Sequence, residues 1–194
     1  MRYGPNHKED ARAKILHAVG RGFRAQGYGG IGVDGLAKEA GVTSGAFYGH
    51  FPSKADAFHA AAVAGLIELR EAVELLQAKN QDRWLIKFVE FYLSFKRTCA
   101  MEDSCALQSL TPEVARAGQE TKIAYEAEMV RLIEAIAGGL PKGSLPTRRK
   151  TAWAILALLS GGVTMARAIN DPKMGIQIAN AVTASVIATT EAIR

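Results

Sequence analysis

The sequence predicts an all-α protein of about nine helices, and three observations predict it. Apolar residues recur at three- and four-residue intervals along most of the chain, the spacing of a helix with one buried face. Hydrophobic content is 48 % while aromatics are only 7 %, so alanine, leucine and isoleucine do most of the filling, which favours helix. Glycine and proline gather in a few short strings that punctuate the periodic segments. The clearest is GGLPKGSLPT, residues 138–147. At 194 residues the chain is long enough for one substantial core or two small ones.

The elements follow in order. From about Lys8 to Gln26, Ile15, Leu16, Val19 and Phe23 fall at helical spacing, and Gly27 suits the cap. Gly20 and Gly22 inside this helix each cost roughly 1 kcal/mol against alanine, and close approach of a neighbouring helix would account for them. Tyr28 to Gly32 is a glycine-rich connector. Val33 to Ala40 is a short helix with Leu36, Ala37 and Ala40 on one face. Gly41 can end it with a positive φ, and Val42 is an apolar plug in the turn. Thr43 or Ser44 can cap a second short helix that carries Ala46, Phe47, Tyr48 and His50 and stops at Pro52. Two short helices joined by a tight turn form a helix-turn-helix, whose second helix is the one suited to a major groove.

Beyond it, Ser53 can cap a long helix from about Lys54 to Gln77, and Ala78 to Arg83 reads as a loop or hinge. A helix from about Asp82 to Thr98 is the most aromatic part of the chain. Ala100 to Ser104 reads as a break and Cys105 to Leu110 as a short helical piece, with a new helix starting at Thr111-Pro112. A helix from about Gln119 to Ala137 precedes the 138–147 loop. Two apolar helices close the chain, about Arg148 to Ile169 and Pro172 to Ile193. The uncharged run Thr151 to Ala166 is shorter than the roughly 20 residues that span a bilayer, so it reads as an interface helix and no membrane partner is expected.

The string Ala37 to Gly41, then Val42-Thr43-Ser44-Gly45, Phe47-Tyr48, His50-Phe51 and Ser53-Lys54, resembles the tetracycline-repressor (TetR) family of bacterial transcription regulators, in the subgroup that reads GAFYGHF. The strong signal covers roughly Lys8 to Asp56. The resemblance implies a DNA-binding head, residues 1–55, and an effector-binding and dimerisation body, residues 56–194. It implies that Tyr48 and His50 contact phosphate, that Lys54 at the next helix start does the same, and that Thr43 and Ser44 are further contacts. The residues themselves add that Gly45 allows close approach of the backbone and that Ala46 suits a thymine methyl. Ser44 to Phe51 holds no Lys or Arg, so bidentate guanine readout from this helix is excluded. Phe47 reads as core. Arg2, Lys8 and Arg12 are candidates for minor-groove or backbone contacts, competing with an ordinary solvated role. Many relatives carry Ser or Thr where Gly32 stands, so that hydroxyl contact is missing here.

Net charge is +5 and the first 56 residues hold eight Lys/Arg against five Asp/Glu, a balance compatible with a nucleic-acid partner. Two cysteines do not make a disulfide framework, and MRYGPNHKED shows no apolar signal segment. A reducing, cytoplasmic setting is therefore expected. His7, His17, His50 and His59 lack zinc-ligand spacing with the cysteines. There is no phosphate-binding glycine loop and no nucleophile elbow. No metal, cofactor or catalytic residue is expected.

For the body, Trp84, Phe88, Phe91, Tyr92, Cys105, Tyr125, Met129 and Trp153 are the candidate lining of an apolar or aromatic effector site, each competing with a plain core role. On one continuous helix Cys99 and Cys105 would lie roughly 9 Å apart, beyond disulfide reach, so a local bridge needs a chain break between them. Cys105-Ala106-Leu107 with Pro112 to Arg116 resembles a branch of the family in which some members sense electrophiles or oxidants through a cysteine. Glu102 and Asp103 beside it would raise a thiol pKa, which argues against a reactive thiolate. The expected function is thus a homodimeric repressor, paired through its last two helices and released from a palindromic operator in double-stranded DNA by a small-molecule effector. The alternatives are cysteine-based sensing through Cys105 or, from another class, an all-α carrier or enzyme using the body cavity.

Overall fold

The computed structural model describes the backbone of residues 5–192 and the side chains of residues 11–192. Arg2 and the Lys8 side chain lie outside the described residues. Among them there is helix and no strand. The elements are α1 (Pro5–Gly30), α2 (Val33–Glu39), α3 (Ser44–Tyr48), α4 (Lys54–Asn80), α5 (Trp84–Glu90), α6 (Ala106–Val114), α7 (Gln119–Gly139), α8 (Leu145–Ala168) and α9 (Pro172–Glu191). A 3₁₀ turn, Gln81–Arg83, precedes α5. A π-helical segment, Phe91–Lys96, continues α5, and a second 3₁₀ turn, Met101–Asp103, precedes α6.

Most boundaries fall where the local signals put them. Gly27 interrupts α1 with φ 73° and ψ 167°, a region almost reserved for glycine. Ser53 Oγ accepts the Asp56 N–H at 3.1 Å, Ser144 Oγ accepts from Thr147 N–H and Asp171 from Lys173 N–H, so α4, α8 and α9 start on side-chain caps. Two expectations need correction. The stretch Ala78 to Arg83 is no open loop: α4 runs on to Asn80 and turns through Gln81 at φ 45°. Cys105 to Leu110 and Thr111-Pro112 are not two pieces either, because α6 continues through Pro112. The Ala115 N–H still reaches Thr111 C=O at 3.0 Å, and the Thr111 hydroxyl donates to Leu107 C=O, so the helix tolerates the proline near its end.

The chain forms two compact units. The first is residues 1–65 with 101–125; the second is residues 66–100 with 126–194. This division departs from 1–55 and 56–194, because α6 and the turn before it join the head. Arg21 pairs with Asp103, Arg24 Nε donates to Glu102 C=O at 2.8 Å, and the Tyr28 N–H donates to both carboxylate oxygens of Glu113 at 2.7 and 2.8 Å. The core of this unit holds Val19, Phe23, Leu36, Phe47, Phe51, Phe58 and Leu110, each nearly or fully buried. Phe23, Tyr28 and Phe58 form an aromatic triangle with centroids 5.1–6.0 Å apart. Gly22 is accounted for: a Cβ there would stand 3.0 Å from Ile31 Cδ1 and 3.2 Å from Leu36 Cδ2, so the glycine lets this part of the head close up.

In the second unit Phe88, Tyr92, Leu132, Ile136, Ile155 and Leu159 are fully buried. Glu128, 1 % exposed, accepts from Arg70 Nε at 2.6 Å and from Arg131 Nη1 at 2.8 Å. Burial works to raise its pKa, but the two guanidinium hydrogen bonds together with the positive charges of Arg70 and Arg131 hold the carboxyl below its ordinary value. Trp84 Nε1 donates to Gly139 C=O at 2.9 Å. Helices α8 and α9 pack closely at Gly162, where a Cβ would lie 2.6 Å from Val182 Cγ2. By length and composition α8 is apolar enough to cross a membrane. Here Ala152, Ile155, Leu156, Leu159 and Val163 along it are buried in the protein.

Candidate nucleic-acid interface

The helix-turn-helix is built from backbone outward. Leu36 and Ala37 bury one face of α2. Gly41, at φ 66°, closes the helix: its N–H donates to Lys38 C=O at 3.0 Å, and the Val42 N–H to Ala37 C=O at 2.9 Å. Thr43 then caps α3, its Oγ1 accepting the Ala46 N–H at 3.2 Å. Phe47 is fully buried and meets Phe51 at 5.5 Å between centroids. That burial fixes the rotation of α3, so the opposite side faces solvent. Gly45 and Ala46 are exposed, Tyr48 is 53 % exposed, and His50 is half-buried just past the helix.

Around this face the structure adds partners that local reading missed. Ser44 Oγ donates to Asp34 Oδ1 at 2.6 Å. With its proton engaged, the Ser44 hydroxyl presents lone pairs, which suit a base amino group. Lys54 Nζ stands 4.5 Å over the Tyr28 ring, and Tyr28 is the residue whose N–H Glu113 holds. Glu113, Tyr28 and Lys54 thus form one chain of contacts within the head. Arg12 lies over Phe51, 5.7 Å from the ring centroid. Gly32 precedes α2 with no side-chain cap, as its identity dictates. Tyr28 and Glu113 are 85 residues apart; only the φ-permissive Gly27 hinted that the backbone there needed help.

The expected effector residues do not converge. Trp84 lines a cavity, described below. Phe88 stacks on Trp84 with centroids 6.4 Å apart and meets Tyr92 edge-on at 5.6 Å, and Phe88 and Tyr92 are fully buried. Phe91 is exposed and stacked on Phe95 with Lys96 over both rings. Met129 is half-buried and Trp153 is 49 % exposed. Cys105 and Tyr125 belong to the other unit. There Tyr125 Oη meets Thr111 Oγ1 at 2.5 Å, and its hydroxyl is pushed up to about 12, chiefly by burial. Cys99 is a half-buried thiol, and Cys105 is 5 % exposed. Among the described residues no group of three His, Cys, Asp or Glu is placed to hold a metal ion.

With this geometry in place, comparison with known proteins is informative. Residues 15–61 match the family model of bacterial regulatory proteins, tetR family. The chain is 46 % identical over 52 residues to the HTH-type transcriptional regulator LmrA of Bacillus subtilis strain 168, covering 27 % of this chain and 25 % of that protein. It is 32 % identical over 95 residues to the uncharacterized HTH-type regulator YxaF of the same strain, covering 49 % and 48 %. The chain thus matches half or less of the length of these curated relatives. Among solved structures, reduced Escherichia coli NemR superposes with TM-score 0.76 at 17 % identity, covering 91 % of this chain and 95 % of that one. A TetR-family regulator from Agrobacterium tumefaciens gives 0.72 at 16 % identity, covering 95 % and 98 %. Residues 15–61 are therefore similar to the tetR-family regulators, and the fold of the chain is similar to that of these solved structures.

Proposed function

We propose that this protein is a homodimeric, operator-binding transcription repressor of the GAFYGHF-type subgroup, acting in the cytoplasm and released by a small-molecule effector. The observation that carries the reading is the exposed side of α3. A buried Phe47 and a Thr43 cap turn Gly45, Ala46 and Tyr48 outward, with His50 and Lys54 flanking them. Phosphate contacts from Tyr48, His50 and Lys54 position the head, and Ser44 and Ala46 meet base edges. Dimerisation through α8 and α9 is supported by their exposed apolar residues, Trp153 and Met165 on one and Met174 on the other. Met174, Gln177, Ala181, Ala184 and Ala188 repeat at alternating three- and four-residue steps, the seam of an isologous helix contact. Two heads then read a palindrome. An effector bound in the second unit favours the non-binding state by its differential affinity for the two states.

The test is the salt dependence of DNA affinity. Two cations per head, Arg12 and Lys54, give about four phosphate contacts per dimer. Affinity then falls about 10²-fold between 50 and 200 mM salt. A carrier or enzyme that uses the head only as a packing module shows no DNA affinity to lose.

A further inference from the structure

The second unit contains a large groove that none of the expected effector residues except Trp84 touches. Its volume is about 840 Å³, within the range of small-molecule sites. Leu85, Ile86, Val89 and Leu93 line one wall, from α5 and the π-helical segment; Ile176, Ala179, Val186 and Ile187 of α9 line the other. The wall is irregular where it matters. The π-helical turn Phe91–Lys96 contributes Leu93 and Ser94, flanked by Glu90 and Arg97. Such turns are rare and are found disproportionately at functional sites.

The groove is lined by three acids, Asp82, Glu90 and Glu191, and by two cations, Arg97 and Lys142. Glu90 is neutralised by Lys87 Nζ at 2.8 Å. Asp82 precedes α5 and Glu191 ends α9, so both acids belong to one end. Arg97 follows the π-helical turn at the other end. Its Nε donates to Leu93 C=O at 2.7 Å, and its Nη1 lies against Gly175 in the first turns of α9. No ion pair among the described residues involves Arg97. A half-buried guanidinium with both Nη groups uncommitted among the described residues, at the end of an apolar trough, matches a carboxylate on an apolar body.

We propose that this groove is a binding site for an apolar carboxylate, with the carboxylate on Arg97 and the hydrocarbon or aryl body between α5 and α9. As the effector site it rests on the regulator reading above; as a binding site it stands alone.

The experiment uses the full chain with Trp153→Phe, which leaves Trp84 in the groove as the single tryptophan reporter. Decanoate, decanol and decylamine are titrated below their aggregation limits, and DNA affinity is measured with the same ligands on the parent protein, whose Trp153 is intact. The expected result is saturable binding of decanoate with at least tenfold preference over decanol and none for decylamine. Arg97→Gln collapses that preference to near unity while decanol binding persists, and Thr183→Phe, which fills the trough, abolishes both. Absence of saturable binding, preference for the amine, or binding indifferent to Arg97→Gln overturns the site. So does binding that disappears as the protein is concentrated, because a second copy then covers the groove. Decanoate that binds as expected but leaves DNA affinity unchanged refutes the effector role and keeps the site. Loss of DNA binding in the unliganded protein refutes the regulator reading alone.

Discussion

Replacing Glu113 by alanine removes the acceptor that completes the end of α1. Both carboxylate oxygens take the Tyr28 N–H, at 2.7 and 2.8 Å, beside a glycine held at φ 73°. A hydrogen bond to a charged acceptor contributes about 1.5–3 kcal/mol, and half-exposure of Glu113 places it in the lower part, about 2 kcal/mol. Glu113→Gln keeps one acceptor oxygen and costs about half as much. A second effect follows on the DNA side. The Tyr28 ring supports Lys54 Nζ at 4.5 Å, a cation–π contact of about 0.5–1 kcal/mol. Loosening Tyr28 therefore lowers DNA affinity about two- to fivefold, measured where both proteins are fully folded. Urea denaturation gives the first number and a binding titration the second. If Glu113→Ala unfolds within 0.5 kcal/mol of the parent, the clamp between α1 and α6 contributes nothing and the reasoning fails.

Three further outcomes follow from the same geometry. Gly27→Ala forces an alanine into backbone space that favours glycine and sets its Cβ 2.9 Å from Glu113 Oε1, so it costs about 1–3 kcal/mol by denaturation. The lowered Glu128 carboxyl contributes stability that is present above its unfolded pKa and is lost as pH falls through the folded value. Glu128→Gln removes that acid-side loss and lowers neutral-pH stability by about 2 kcal/mol, seen as thermal midpoints against pH. Tyr125, pushed up to about 12 against an ordinary value near 10, contributes fully below pH 10. Stability is lost between pH 10 and 12, by about 3 kcal/mol, and Tyr125→Phe flattens that alkaline slope.

What the sequence made legible was local. Gly41, Thr43, Phe47 and Ser53 each act through residues within four positions, so the helix-turn-helix and its exposed face could be read directly. The partners of Arg21, Arg24 and Tyr28 lie 78–85 residues away, and no periodicity reports them; that is why α6 was not assigned to the head. The aromatic run from Trp84 to Tyr92 was legible as helix but not as pocket or core. Helical spacing cannot say which face a neighbour covers, and the core took Phe88 and Tyr92. The π-helical turn had no local mark at all. Pro112 misled in the opposite direction, since a helix that is nearly finished tolerates the missing N–H.

Selection of genomic DNA fragments by the purified protein at moderate salt, sequenced in parallel for the parent and for Tyr48→Ala, tests the central claim most directly. The account predicts enrichment of a short palindrome by the parent, lost in the variant while its fold and oligomeric state are unchanged. No enriched sequence from a folded parent, or the same palindrome recovered equally by Tyr48→Ala, contradicts the assignment of the α3 face as the operator-reading surface.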